Sequence, residues 1–246
     1  MEVRGDEEAA MITTRPGYPR WHTASAQGPR SHNADAVGAY AAAGGPGIVF
    51  ALADGVGDDP TAARAARVAA AAAARTAVHK GPVEAVLAAQ RAVRELGGGD
   101  AVLVVAMPAE HGGYRIAWVG DARAYAWDGG TLTKLTTDHT LAEYFRARHQ
   151  PVTPRMEHVV TTSVRTAGQD EIGTAETASA GLLLTSDGVH KPLAAAGMRA
   201  VLARPGTGAA ELVEAALARG GSDNATALYV EPLEAGSTTV RFPVAA

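Results

Sequence analysis

A chain of 246 residues, 47% of them hydrophobic and 20% charged, has the composition for a sizeable core in a single layered domain. It contains no cysteine, which excludes disulfides, thiolate nucleophiles and Cys-ligated zinc, and leaves oxygen and imidazole chemistry. The formal net charge is -4 with no basic stripe, which argues against nucleic acid, and no apolar run nears the ~20 residues needed to span a membrane.

The opening MEVRGDEEAA is acidic and lacks an apolar h-region, so it does not read as a signal peptide and a cytoplasmic location is expected. Residues 1–20 read as a loosely ordered lead-in and 21–246 as the domain. Residues 21–25 and 36–40 read as short strands around the polar loop GPRSHNAD. The run IVFALAD (48–54) is a buried strand ended by Gly55. Asp59 suits a helix N-cap and Pro60 the first helical position, with the helix expected to run to Lys80. A second helix is expected over about 82–96, stopped by Gly97-Gly98-Gly99. Three strands follow at 101–107, 114–120 and 122–127, joined by glycine turns. A short helix is expected near LAEYFRARH, and HVVTTSV fits helix or strand equally well. AGLLLTSDGV repeats the earlier pattern of apolar run, Asp and Gly; a helix over about 208–219 then precedes Asp223 and a last strand. Hairpin-joined strands with paired helices predict antiparallel sheets with helices packed outside.

Four aspartates stand at junctions between apolar runs and turns: Asp54, Asp121, Asp187 and Asp223. A lone Asp-Gly after a strand is usually a turn. Carboxylates gathered at one sheet edge repel unless a cation neutralises them, and hard divalent ions take such oxygen ligands.

In order and wording, these segments resemble the metal-dependent PPM, or PP2C-type, protein Ser/Thr phosphatases in their short bacterial form. GPRSHNADA (28–36), ALADGVG (51–57), AWVGDARAYAWDGGTLTKLTTDHT (117–140), LLLTSDGV (182–189) and GGSDNATALYV (220–230) carry the likeness, which spans about residues 24–231. The resemblance implies an α+β fold, a PP2C-like αββα sandwich of two antiparallel sheets flanked by helices. It implies two Mn²⁺ or Mg²⁺ ions, with Asp54 bridging both and Gly55 giving its carbonyl to one. Asp187 and Asp223 would hold the other ion, and Asp35 would support the first. Asp121, beside Asp187, matches the place of a third, weaker ion. Arg30 would clamp the substrate phosphate and Asn224 would brace the site.

The implied reaction is hydrolysis of phosphoserine and phosphothreonine in proteins by a hydroxide that the ions generate from water, with no protein nucleophile. The implied partners are phosphorylated substrates of a Ser/Thr kinase, met by a monomer acting away from membranes and nucleic acid. Two positions depart from the pattern. Ala34 stands where Glu or Gln is usual, and Asp58 replaces a glycine and is read as capping the following helix rather than adding negative charge near the metals; Val56 stands where some eukaryotic members carry a histidine. Because of Ala34, a catalytically silent module that binds phosphoproteins in a kinase pathway is the alternative. His32 and His139 read as loop and structural residues, and Tyr144, Phe145, Arg146 and Arg148 fall in the variable flap.

Overall fold

The structure, a computed structural model, describes residues 19–41 and 47–232. The expected lead-in therefore lies, apart from its last two residues, outside the described residues. Two five-stranded sheets, antiparallel throughout, stack face to face with helices on both outer sides. This is the αββα sandwich expected.

One sheet has the order β2-β3-β4-β5-β8: β2 (Asp35–Ala41), β3 (Ile48–Gly55), β4 (Ala101–Pro108), β5 (Tyr114–Val119) and β8 (Gly173–Thr177). The other has the order β1-β10-β9-β6-β7: β1 (Trp21–Ala26), β10 (Ala225–Val230), β9 (Gly181–Thr185), β6 (Arg123–Trp127) and β7 (Leu132–Lys134). Between them Phe50, Leu52, Val104, Ile116, Leu182, Leu184 and Leu228 interdigitate and are fully buried. Strand alternation assigns their neighbours to the outer faces, where the helices cover them. Thus Ala51, Ala53, Leu103 and Val105 meet α1 (Pro60–Ala74) and α2 (Gly81–Glu95). Leu183, Ala227 and Tyr229 meet α4 (Asp187–Leu202) and α5 (Ala209–Ala218). A short α3 (Leu141–Arg146) lies in the irregular segment after β7.

The N-terminus of α1 is built as expected, with Asp59 Oδ1 accepting from the Thr61 and Ala62 amides and Pro60 in the first turn. Its C-terminus is not. The helix ends at Ala74, and Val78–Lys80 form a separate 3-10 turn before α2. Alanine continuity concealed that break. HVVTTSV is neither α-helix nor strand: His158 ends a 3-10 turn (Pro154–His158) and the rest is irregular, with Val160 bridging to Thr140. α4, β7 and β8 went unread. In α4 the cause is its breakers, since Pro192 lies inside it and the chain leaves helical geometry at Ala194 (φ 50°).

Candidate active site

The sandwich brings five aspartates to one end of the molecule, from both sheets. Asp54 is the penultimate residue of β3 and Asp35 the first of β2, and the two are register partners across the ladder. Asp121 lies in the turn where β5 hands over to β6, at the crossing from one sheet to the other. Asp187 opens α4 directly behind β9, and Asp223 immediately precedes Asn224 and β10. Arg30, Asp54, Gly55, Asp121, Asp187 and Asp223 line one cavity of about 150 Å³, with His158 at its wall. Of the residues singled out in the sequence, these are brought to one cavity, and Asp35 stands beside Asp54.

The electrostatics are those of an over-charged cluster. Burial pushes the Asp35 carboxyl up to about 7. Hydrogen bonds from Thr226 and Ser186 draw it back, and Asp187 and Asp223 add to the rise. Its Oδ2 accepts from Ser186 Oγ at 2.7 Å, whereas its Oδ1 is buried without a partner. Burial also drives Asp54 well above the usual carboxylate range, reinforced by Asp35, Asp187, Asp121 and Asp223. Asp121 is raised by burial and Asp187, against the pull of Lys191. Asp223 is raised by burial and Asp187, against the Asn224 amide and Arg30.

Two cations of the chain meet this charge. Arg30 Nη2 donates to Asp223 Oδ2 at 2.6 Å while its Nε donates to the Ser222 carbonyl. Lys191 Nζ donates to Asp187 Oδ2 at 2.5 Å and Asp121 Oδ2 at 3.1 Å. Burial opposes the Lys191 charge, yet Asp187 and Asp121 more than offset it and hold its pKa above the usual value. Among the described residues, no three His, Asp or Glu side chains stand as a finished ligand set. The donors nevertheless suit hard divalent ions. They are all oxygens, they carry more negative charge than the chain's own cations balance, and the Asp35 Oδ1 is orphaned beside them.

The loop carrying Arg30 is held from two sides. Asn224 Oδ1 accepts from the Ala34 amide at 2.8 Å, and its Nδ2 donates to the Gln27 and His32 carbonyls, both at 2.8 Å. Asp58 accepts from the Ser31 and His32 amides at 3.0 and 2.9 Å. Those amides, with Arg30 adding to them, hold the Asp58 carboxyl below its ordinary value. The expectation that Asp58 caps α1 is thus corrected: Asp59 caps the helix, and Asp58 clamps the Arg30 loop.

Ala34 has an equally local explanation. It is buried against Ala62 and Ala63 of α1, and its carbonyl accepts from the Gly55 amide at 2.9 Å. A Cβ on Gly55 would come within 2.6 Å of the Ala62 carbonyl oxygen and 3.0 Å of the Ala34 Cβ. The strand end therefore meets the helix only because both residues are small.

Three residues of the site went unread in the sequence. Ser186 and Lys191 bracket Asp187, and reading α4 would have placed Lys191 on its face at i+4. His158 carries no signal of its own, because it reaches the cavity from the end of a short 3-10 turn, Pro154–His158. His139 accepts from the Gly120 amide and serves structure, as expected. In the flap, Arg148 stacks on the Tyr144 ring, and Arg146 pairs with Glu143 and Glu157.

No family model matches the sequence, and no curated protein matches it. Solved structures do. The PPM Ser-Thr phosphatase MsPP from Mycobacterium smegmatis, in complex with cacodylate, is 27% identical over 86% of this chain and 97% of its own, with a TM-score of 0.69. The catalytic domain of the serine threonine protein phosphatase PstP, in complex with two manganese ions, is 25% identical over 87% of this chain and 98% of its own, with a TM-score of 0.70. The serine/threonine phosphatase of S. agalactiae superposes with a TM-score of 0.75 at 22% identity, over 85% of this chain and 98% of its own. In fold and over nearly its whole described length, the chain is a structural relative of the bacterial PPM-type Ser/Thr phosphatases.

Proposed function

We propose that the protein is a metal-dependent phosphoprotein phosphatase acting on phosphoserine and phosphothreonine, with phosphorylated substrates of a Ser/Thr kinase as its partners. The observation that carries this reading is the set of converging carboxylates beside Arg30, drawn from both sheets into one open cavity. Asp54 would lie between two Mn²⁺ or Mg²⁺ ions, Gly55 and Asp35 would complete one, and Asp187 and Asp223 the other. The two manganese ions of PstP support that count. When bound, such ions supply an acidified water as nucleophile and positive charge for the phosphoryl oxygens.

The chain supplies the rest. Arg30 offers a planar fork that matches two phosphate oxygens, and its present partner, Asp223, anchors it at the cavity mouth. Asn224 and Asp58 fix the loop, so the guanidinium is positioned before substrate arrives. Ser186 orients Asp35 by donating to one of its oxygens, leaving the other free.

The test is phosphate release from a phosphothreonine peptide by the full chain with Mn²⁺. Wild type is expected to release phosphate and Asp54→Asn to lose that activity. A protein that binds Mn²⁺ and phosphopeptide but hydrolyses nothing would replace this reading with the phosphoprotein-binding module.

A further inference from the structure

Lys191 stands one helical turn beyond Asp187, so α4 returns its side chain to the carboxylate that opens the helix. Its ammonium has three donors and meets three acceptors: Asp187 Oδ2 at 2.5 Å, Asp121 Oδ2 at 3.1 Å and His158 Nδ1 at 3.3 Å. The group is enclosed, with side-chain exposures of 21% for Lys191, 5% for Asp121 and 17% for Asp187. Asp121 and Asp187 are the two carboxylates that the family resemblance allots to a third, weaker ion.

We propose that Lys191 is the built-in occupant of that third position, so that the protein takes up two divalent ions and no third. The inference rests on the reading that the carboxylate cluster binds divalent ions. Space and charge both support it. A small divalent ion needs carboxylate oxygens at roughly 2.0–2.1 Å, and here a satisfied ammonium already sits in hydrogen-bond contact with both oxygens. To enter, a third ion must expel a lysine from three partners, or share the place with it against direct repulsion. The five carboxylates bring five negative charges and Arg30 and Lys191 return two, so two divalent ions already exceed the remainder. A tethered cation is present at every metal concentration, whereas a weak third ion is present only at high ones. Lys191 also links the cluster to the 3-10 turn Pro154–His158 through His158.

Stripped full-length protein titrated with Mn²⁺ by calorimetry and equilibrium dialysis tests this without any substrate. Wild type and Lys191→Arg are expected to saturate at two ions per chain, and Lys191→Ala and Lys191→Asp at three. Adding Asp121→Asn to Lys191→Ala should return the count to two. Anomalous scattering from Mn²⁺-loaded wild-type crystals should show two peaks, neither within coordination distance of Asp121. That readout stands even if no Lys191 variant folds. A wild-type count other than two, an ion bound to Asp121, or a folded Lys191→Ala that still stops at two would overturn the proposal. A protein that binds two ions yet releases no phosphate would sink the proposed function and leave this inference standing.

Discussion

Asp35 and Asp54 face each other as direct partners in the ladder between β2 and β3. Like charges at such a pairing destabilise a sheet, so this pair calls for a proton or a cation between the strands. The rest of the ladder is apolar or small, which isolates the conflict at the strand ends where the cavity opens.

The first consequence is a stability that depends on pH when metal is absent. Asp35 titrates at about 7 in the folded chain, against roughly 3.9 for an unfolded aspartate. A raised carboxyl contributes stability that is complete below the unfolded value and is lost as pH rises through the folded one. In EDTA, the melting temperature is therefore expected to fall by several degrees between pH 5 and pH 8, and Mn²⁺ should restore it at pH 8. Asp35→Asn should flatten the slope. A metal-free melting temperature that climbs over that interval in wild type would contradict the account.

Asp54→Asn should separate stability from activity. Removing a charge that four other carboxylates oppose should raise the melting temperature in EDTA. If Asp54 is the shared ligand of the proposed two-ion site, the same change should lower kcat by about 10²-fold or more. Differential scanning calorimetry and phosphate release on one preparation provide both readings.

Arg30 and Asp58 should show different kinetic signatures. On the proposed function, Arg30→Ala removes the phosphate fork and Arg30→Lys keeps only a point charge, so KM for a phosphopeptide should rise about tenfold or more in both. Asp58→Ala releases the Ser31 and His32 amides without touching the cavity. It should raise KM a few-fold and barely change the melting temperature. Steady-state kinetics resolve the two. An unchanged KM in Asp58→Ala would refute the clamp.

Gly55→Ala and Gly188→Ala probe how closely backbones approach at the site. The new Cβ at position 55 meets α1 at 2.6 Å, and that at 188 meets the Asn224 carbonyl oxygen at 2.0 Å. Overpacking of this kind costs about 1–3 kcal/mol. Both variants should unfold at lower denaturant concentration and bind Mn²⁺ more weakly than a surface control such as Gly98→Ala, where a Cβ meets nothing and the backbone is not left-handed.

Much of this was legible in the residues. Buried strands declared themselves as apolar runs, and the aspartates behind them marked one end of the sandwich. What stayed hidden depended on contacts distant in sequence or on broken periodicity. Asp58 looked like a cap because it adjoins a helix, yet its partners lie 26 and 27 residues earlier. Lys191 was masked because Gly188 and Pro192 conceal the helix that aims it. Ala34 looked like a missing ligand, and only its packing on Ala62 and Ala63 shows why a small side chain stands there.

The carboxylates come from both sheets: Asp35 and Asp54 from one, Asp187 and Asp223 from the ends of strands in the other, and Asp121 from the chain crossing between them. Ions gripped there would act as a clasp across the seam of the sandwich. Sliding one sheet against the other would then loosen the grip, and tightening the grip would resist the slide. By linkage, every factor that steadies the inter-sheet core also sharpens metal affinity, and loading the ions should slow amide exchange in central strands far from the cavity.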